Sequence, residues 1–425
     1  MVAIREAAAA LDFGQLSRLV RTHTGFTQQE LATITGVSQN FLSQLENGQR
    51  RLSDAQKAAR FLDGLGAPHG LHSSPPLDDP QTRNQHRDPH ETIRRAATES
   101  LDFADFITST NTDDDLLAFL YDTLARIATD YVHKPVLPLL DDIVAIRDRV
   151  FALLRGRQKP QHTRDLYFLA GTSCLLLAHA SQNLGDSTAA LAQIRTANAC
   201  AHQADHRPLR AWTAGTAALI AEWSPRGERA LELIDQAAAL APAGQSRIRI
   251  AAIEARTSAR NGDKRRATAA LLRMQMAQEE VPEADGLAVF GGILTFPQAK
   301  QDYYTGATHN LLGSHDEAEC YAARAIDQYV HGPSEARSYG DEALATVDVI
   351  IARLAQGDIE AALPALRMIL SLPVERRIQQ LGHSVQKVTE LLRTPTLLPK
   401  PTTREVLELA HNYQVLGTSA LPSER

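Results

Sequence analysis

The chain has 425 residues but only three cysteines, four methionines and two tryptophans, and aromatic residues make up just 5% of it. Cys174, Cys200 and Cys320 are odd in number and far apart, which excludes a disulfide framework and any Cys-x-x-Cys metal or redox pair. No uninterrupted run of about 18 apolar residues occurs, and no basic, apolar and small-residue leader opens the chain. The expectation is a soluble cytoplasmic protein. Lysine is also scarce, with seven among the 44 basic residues, while alanine is abundant, a bias that fits a GC-rich bacterial genome. There is no Walker loop, no strand-borne GxGxxG, no HExxH and no GxSxG. His69, His72, His86 and His90 are irregularly spaced and have no cysteine partners. No catalysis, cofactor or metal is expected.

What is present is ordinary globular material, with 44% hydrophobic and 22% charged residues and length enough for two or three domains. A net charge of -6 excludes coating nucleic acid along the whole chain, so any DNA contact must be local. Residues 1–66 are helix-patterned. Residues 67–89 concentrate Pro, His, Ser and charge without an apolar period, as a flexible linker does. Helices resume afterwards, with Leu116, Leu117, Leu120, Leu124 and Ile127 at helical spacing. The nearest strand-like piece, 288–296, carries two glycines and reads as a loop. The chain is therefore expected to be all-α, with connecting or dimerisation helices over 90–159, a helical array over 160–395, and a C-terminal helix and tail over 396–425.

Within that array a small motif recurs, in which Gly and a polar residue precede an Ala that opens an amphipathic helix. It occurs at Gly185-Asp186 with Ala189, Gly227-Glu228 with Ala230, Gly262-Asp263 with Ala267, Gly313-Ser314 with Ala318, and Gly357-Asp358 with Ala361. Successive glycines stand 42, 35, 51 and 44 residues apart, near the length of a helix-turn-helix repeat with inserted loops. Gly supplies the left-handed turn, the polar residue caps the next helix, and Ala lets two helices approach. The pattern resembles degenerate tetratricopeptide repeats, an α-solenoid whose inner face binds something; the uneven period also fits an irregular helical bundle.

The sharpest local signal lies near the start. Thr27 with Glu30 three residues on forms a capping box, Gly36 permits a tight turn, and Ser38 caps a second helix running through Gln39-Asn40-Phe41-Leu42-Ser43-Gln44-Leu45-Glu46. Leu31, Ala32, Ile34, Val37, Leu42 and Leu45 are expected to face inward. Outward stand Gln39, Asn40, Ser43 and Gln44, an uncharged face whose amides can pair bidentately with adenine edges in a major groove.

Over residues 12–65 this resembles the Xre or phage-repressor class of helix-turn-helix domain, which is lambda-repressor-like in fold and reads double-stranded operator DNA. The resemblance places Gln39, Asn40, Ser43 and Gln44 on base edges, with Gln28 on phosphate, Asn47, Arg50 and Arg51 flanking the backbone, and Ser38 at the helix start also among the DNA-binding residues. It also matches Arg21 and Glu46 to the family's buried ion pair, a structural role, so that Arg21→Ala, stranding the other charge at a cost of roughly 3–5 kcal/mol, is expected to unfold the head. Residues 1–66 hold seven basic and six acidic side chains, a net charge of +1. One such head binds DNA weakly, so a homodimer spanning two half-sites is expected.

A phage-repressor head joined to a tetratricopeptide-like body is similar in plan to the peptide-sensing quorum regulators of Gram-positive bacteria. It also resembles a set of Xre-type regulators from GC-rich bacteria, through the stretch from Phe290-Gly291-Gly292 to Arg337-Ser338-Tyr339-Gly340-Asp341-Glu342. On adjacent first helices of the array, Lys300, Gln301, Tyr304 and Thr308 of one and Arg337, Asp341, Leu344 and Asp348 of the next fall on neighbouring turns, a set able to hold a peptide or small-molecule ligand. Tyr303, Tyr304 and Tyr339 equally suit interhelix packing, and Trp212 and Trp223 suit a core. The expected function is a DNA-binding transcription regulator sensing a signal or a partner protein. The alternative is an adaptor whose repeats sequester a partner while the head only anchors it.

Overall fold

The computed structural model describes residues 7, 12–50, 52, 55–65, 89–222 and 228–418. These contain nineteen α-helices and no strand. They fall into two compact units, divided at Ser100/Leu101. Residues 67–88, with His69, His72 and His86, lie outside the described residues, as do Arg51, Trp223 and Gly227.

The first unit begins with α1 (Phe13–Thr24), α2 (Gln28–Thr35), α3 (Gln39–Glu46) and α4 (Ala55–Gly64). Local chemistry sets their ends. Asp12 accepts the Gln15 amide at 2.9 Å, and Gly25 closes α1 in the left-handed region. At α2 the capping box forms in both directions, Glu30 N–H to Thr27 Oγ at 3.2 Å and Thr27 N–H to Glu30 Oε2 at 2.8 Å. Gly36, at φ 70°, makes the turn into α3. Leu16, Leu31, Leu42, Leu45 and Leu62 pack around Phe13 and Phe61, whose rings meet edge-on at 5.5 Å.

Ile34 departs from expectation, since it is 43% exposed and not inward. The buried face of α2 is centred on Leu31, Ala32 and Thr35, and Ile34 sits roughly a third of a turn away from it. Val37 is half-buried against the core. Helix α5 (Pro89–Thr108) spans the division between the units, and Ile93 and Leu101 on it are exposed.

The second unit is a side-by-side stack of helix hairpins. Its helices are α6 (Asp114–His133), α7 (Leu140–Leu154), α8 (Pro160–Asn183), α9 (Ser187–Gln203), α10 (Arg207–Ala221), α11 (Glu228–Leu240) and α12 (Gln245–Arg260). They continue with α13 (Lys264–Gln278), α14 (Gln298–Leu312), α15 (His315–His331), α16 (Tyr339–Ala355), α17 (Ile359–Leu370), α18 (Gln379–Leu392) and α19 (Pro401–Thr418). First helices α8, α12 and α14 are buried nearly all round, because each packs on its own second helix and on first helices to either side. Second helices such as α9 and α13 keep one solvent face.

The recurring motif makes the hairpin turns. Gly185, Gly262, Gly313 and Gly357 lie at φ 80–89°, and Asp186, Asp263 and Asp358 accept the amide three residues on at 2.8–2.9 Å. Ser314 makes no such side-chain bond. Ala230, Ala267 and Ala318 are fully buried, whereas in the first and last motifs the fully buried alanines are Ala190 and Ala362, one position beyond Ala189 and Ala361. The stack reaches past 160–395 at both ends. Leu120, Leu124, Ile143 and Val150 of α6 and α7 share a core with α8–α10, and Val406, Ala410 and Tyr413 of α19 share one with α16–α18. Residues 288–296 form two single 3-10 turns. Among the described residues no helix is long and apolar enough to cross a membrane.

Candidate functional site

Two sites emerge, one in each unit. In the head, Ser38 accepts the Phe41 amide at 3.3 Å, and that cap starts α3 so that one face stays uncovered. Gln39, Asn40 and Asn47 are exposed, and Ser43 and Gln44 are half-buried beside them. Arg50 is exposed just past the helix, with its guanidinium 5.9 Å from the Phe41 ring centroid. The sequence-predicted face is thus brought together, apart from Arg51, which lies outside the described residues. Gln28 is different. Its amide nitrogen, expected on phosphate, donates to Glu46 Oε2 at 2.7 Å and is turned into the domain.

Glu46 is the hub beneath that face. It is 5% exposed and accepts from Ser17 Oγ at 2.6 Å, Gln28 Nε2 at 2.7 Å and Arg21 Nη1 at 2.8 Å. Burial pushes its carboxyl up, but the bonds from Ser17, Gln28 and Arg21 and the Arg21 charge outweigh it and hold the group below the usual carboxylate range. These bonds tie α1, α2 and the C-terminal turn of α3 together. The exposed amides therefore project from a fixed frame.

In the second unit a cavity of about 140 Å³ opens among the first helices. Each of α6, α8, α10, α12, α14, α16 and α18 contributes lining residues, and the lining includes none from their second helices. The ends of the stack meet there. Gln380 of α18 donates to Asn183 Oδ1 of α8 at 3.1 Å, and Asn183 donates to Tyr131 Oη of α6 at 2.9 Å.

Of the residues singled out in the sequence, Lys300, Tyr304, Asp341, Leu344 and Asp348 line the cavity, and Lys300 Nζ lies 3.2 Å from the Asp341 carboxylate. Gln301 and Thr308 do not line it. They sit about 100° around α14 from Lys300 and Ala307, and both are committed internally, Gln301 to the Phe296 carbonyl at 3.1 Å and Thr308 to the Tyr304 carbonyl at 2.7 Å. Arg337 is exposed and borders a small adjoining cleft of about 10 Å³ with Lys300 and Ser338. Tyr303 and Tyr304 both pack edge-on against one another at 5.1 Å and line the cavity. Trp212 is core, donating to Ser246 Oγ at 2.8 Å.

Sequence reasoning missed the cationic wall. Arg249, Arg256 and Arg260 of α12 all line the cavity. Glu222, fully buried, accepts from Arg256 at 2.9 Å and Arg260 at 3.0 Å; burial raises its carboxyl, and these two charges bring it below the ordinary value. His179 is held neutral, because burial and the nearby charges of Arg249 and Lys300 push its pKa well down. Burial pushes the Asp348 carboxyl up to about 7 against the bond from Asn310 and the Arg256 and Arg260 charges. The one available signal was the run of arginines at 247, 249, 256 and 260, spaced so that some must point inward.

Residues 12–73 match the family model of a helix-turn-helix domain. No curated protein and no solved structure matches the chain. The protein thus carries an N-terminal helix-turn-helix domain followed by an all-helical body.

Proposed function

We propose that this protein is a sequence-specific, DNA-binding transcription regulator of the bacterial cytoplasm, with an Xre-type head and a tetratricopeptide-like body that senses a signal and performs no catalysis. The observation that carries the reading is the α3 face, where Gln39 and Asn40 are exposed on a domain that matches the helix-turn-helix family. Two amides on one helix face suit bidentate reading of adenine. The residues assigned to the bases are Gln39, Asn40, Ser43 and Gln44, with Asn47 and Arg50 at the backbone. Gln28 acts from within, through Glu46.

A head of net charge +1 gains little from phosphate, so the working species is a homodimer with two heads on one operator. Exposed Ile93 and Leu101 on α5 support that helix as part of the dimer contact. The cavity of the body supports the sensing role, and linkage sets its condition: a ligand alters DNA affinity only if it binds two states of the protein unequally.

Selection of bound duplexes from random DNA by full-length protein tests the reading, with a Gln39→Ala/Asn40→Ala variant run at the same salt. An enriched two-fold-symmetric motif that the variant fails to enrich is the expected result, each lost bidentate contact being worth about 1–3 kcal/mol. Equal enrichment by both proteins refutes the assignment of the face. No enrichment by the native protein, with and without candidate ligands, favours the adaptor.

A further inference from the structure

The cavity holds a charge that the protein does not neutralise. Arg249 is 3% exposed, yet no carboxylate lies within ion-pair distance of it among the described residues. Its guanidinium stacks 4.3 Å from the Trp212 ring centroid and donates to Thr216 Oγ1 at 2.9 Å and, at 3.4 Å, to the Trp212 carbonyl. These are neutral partners. The other cations of the wall stand in ion pairs, Arg256 and Arg260 sharing Glu222 and Lys300 meeting Asp341. Asp348, the remaining acid of the lining, is bonded by Asn310 at 3.2 Å. A buried guanidinium without a counter-charge is costly, and proteins pair buried charges as a rule.

We infer that the cavity binds a small, oxyanion-bearing organic molecule, whose carboxylate or phosphate is the missing partner of Arg249. The inference rests on the sensing reading above and narrows it. Size argues against a peptide, since about 140 Å³ is close to the cavity that accommodates benzene and well short of the roughly 300 Å³ at which drug-sized sites begin. The rest of the lining suits the body of such a ligand. Tyr303 and Tyr304 contribute aromatic surface to the wall, and Gln380, also of the lining, keeps a buried amide oxygen that no group among the described residues bonds, an acceptor for a donor on the ligand.

Calorimetric titration of full-length protein with inorganic phosphate, succinate and benzoate, against succinamide and benzamide as uncharged counterparts, tests this. Direct heats are needed because phosphate stabilises proteins by exclusion alone. We expect at least one oxyanion to bind and its amide not to, with Arg249→Gln weakening binding about thirtyfold or more. Ser384→Leu, at a half-buried position of the wall, should block the cavity and serves should Arg249→Gln misfold. Binding of none of the oxyanions below roughly 10 mM, equal binding of acid and amide, or native affinity in Ser384→Leu would overturn the inference. Repeating the titration on protein bound to its selected operator separates the two readings. Binding without any change in DNA affinity keeps the anion site and refutes sensing, whereas a DNA response to an uncharged ligand alone keeps sensing and refutes the anion site.

Discussion

Arg21→Ala and Glu46→Ala should differ sharply, although they remove the two halves of one ion pair. A fully buried pair broken on one side costs roughly 3–5 kcal/mol, because the stranded charge has no solvent. The Arg21 side chain keeps 30% exposure, however, and the Glu46 carboxylate retains Ser17 and Gln28 as donors after Arg21 is lost. Arg21→Ala should therefore cost only about 1.5–3 kcal/mol, the range of one hydrogen bond to a charged group, and the domain should stay folded. Glu46→Ala removes the acceptor for all three donors and leaves Ser17, fully buried, without it, so a cost nearer 3–5 kcal/mol is expected. Hydrogen exchange in full-length protein reads both, since the head has its own core and can open separately. Slow amides of α1 and α3 should exchange roughly tenfold to a hundredfold faster in Arg21→Ala, and faster still in Glu46→Ala. Equal acceleration in the two variants, or none in Glu46→Ala, would refute the hub.

The two units should respond oppositely to pH. Glu46 titrates below its ordinary 4.5 when folded, so its contribution is complete above that value and disappears as pH falls through the folded pKa; head amides, corrected for intrinsic exchange, should lose protection on acidification. Asp348 keeps its proton up to about 7 when folded but loses it near 3.8 when unfolded, so the body loses stability between those values as pH rises, by at most about 4 kcal/mol. Denaturant melts at pH 5 and pH 8 should show that slope flattened in Asp348→Asn, and an unchanged slope would refute the assignment. Gly14→Ala should destabilise the head by more than a helix glycine normally gains from alanine, because its Cβ would collide with the Leu45 carbonyl oxygen where α1 crosses α3. Exchange protection equal to native would show that the two helices can part at no cost.

The sequence alone was enough for features closed by neighbours. The Thr27–Glu30 box, the Gly36 turn, the Ser38 cap and the Gly-Asp hairpin turns are each completed within about four residues, so residue type and spacing determine them. The outward amides of α3 follow from the same local phase, because the short helix has a single buried flank of Leu42, Leu45 and Glu46. Ile34 and Gln28 were less legible, since which way they turn depends on where α2 meets its neighbours. The cavity was decided only by tertiary structure. Arg249 stands between Ile248 and Ile250, and that local pattern does not say which of the helix's arginines is enclosed; Trp212 and Thr216 from α10 decide it by closing over this one. Asn183 and Gln380 stand 197 residues apart, and they meet through the packing of first helix on first helix along the stack, a sum of contacts that no local pattern encodes.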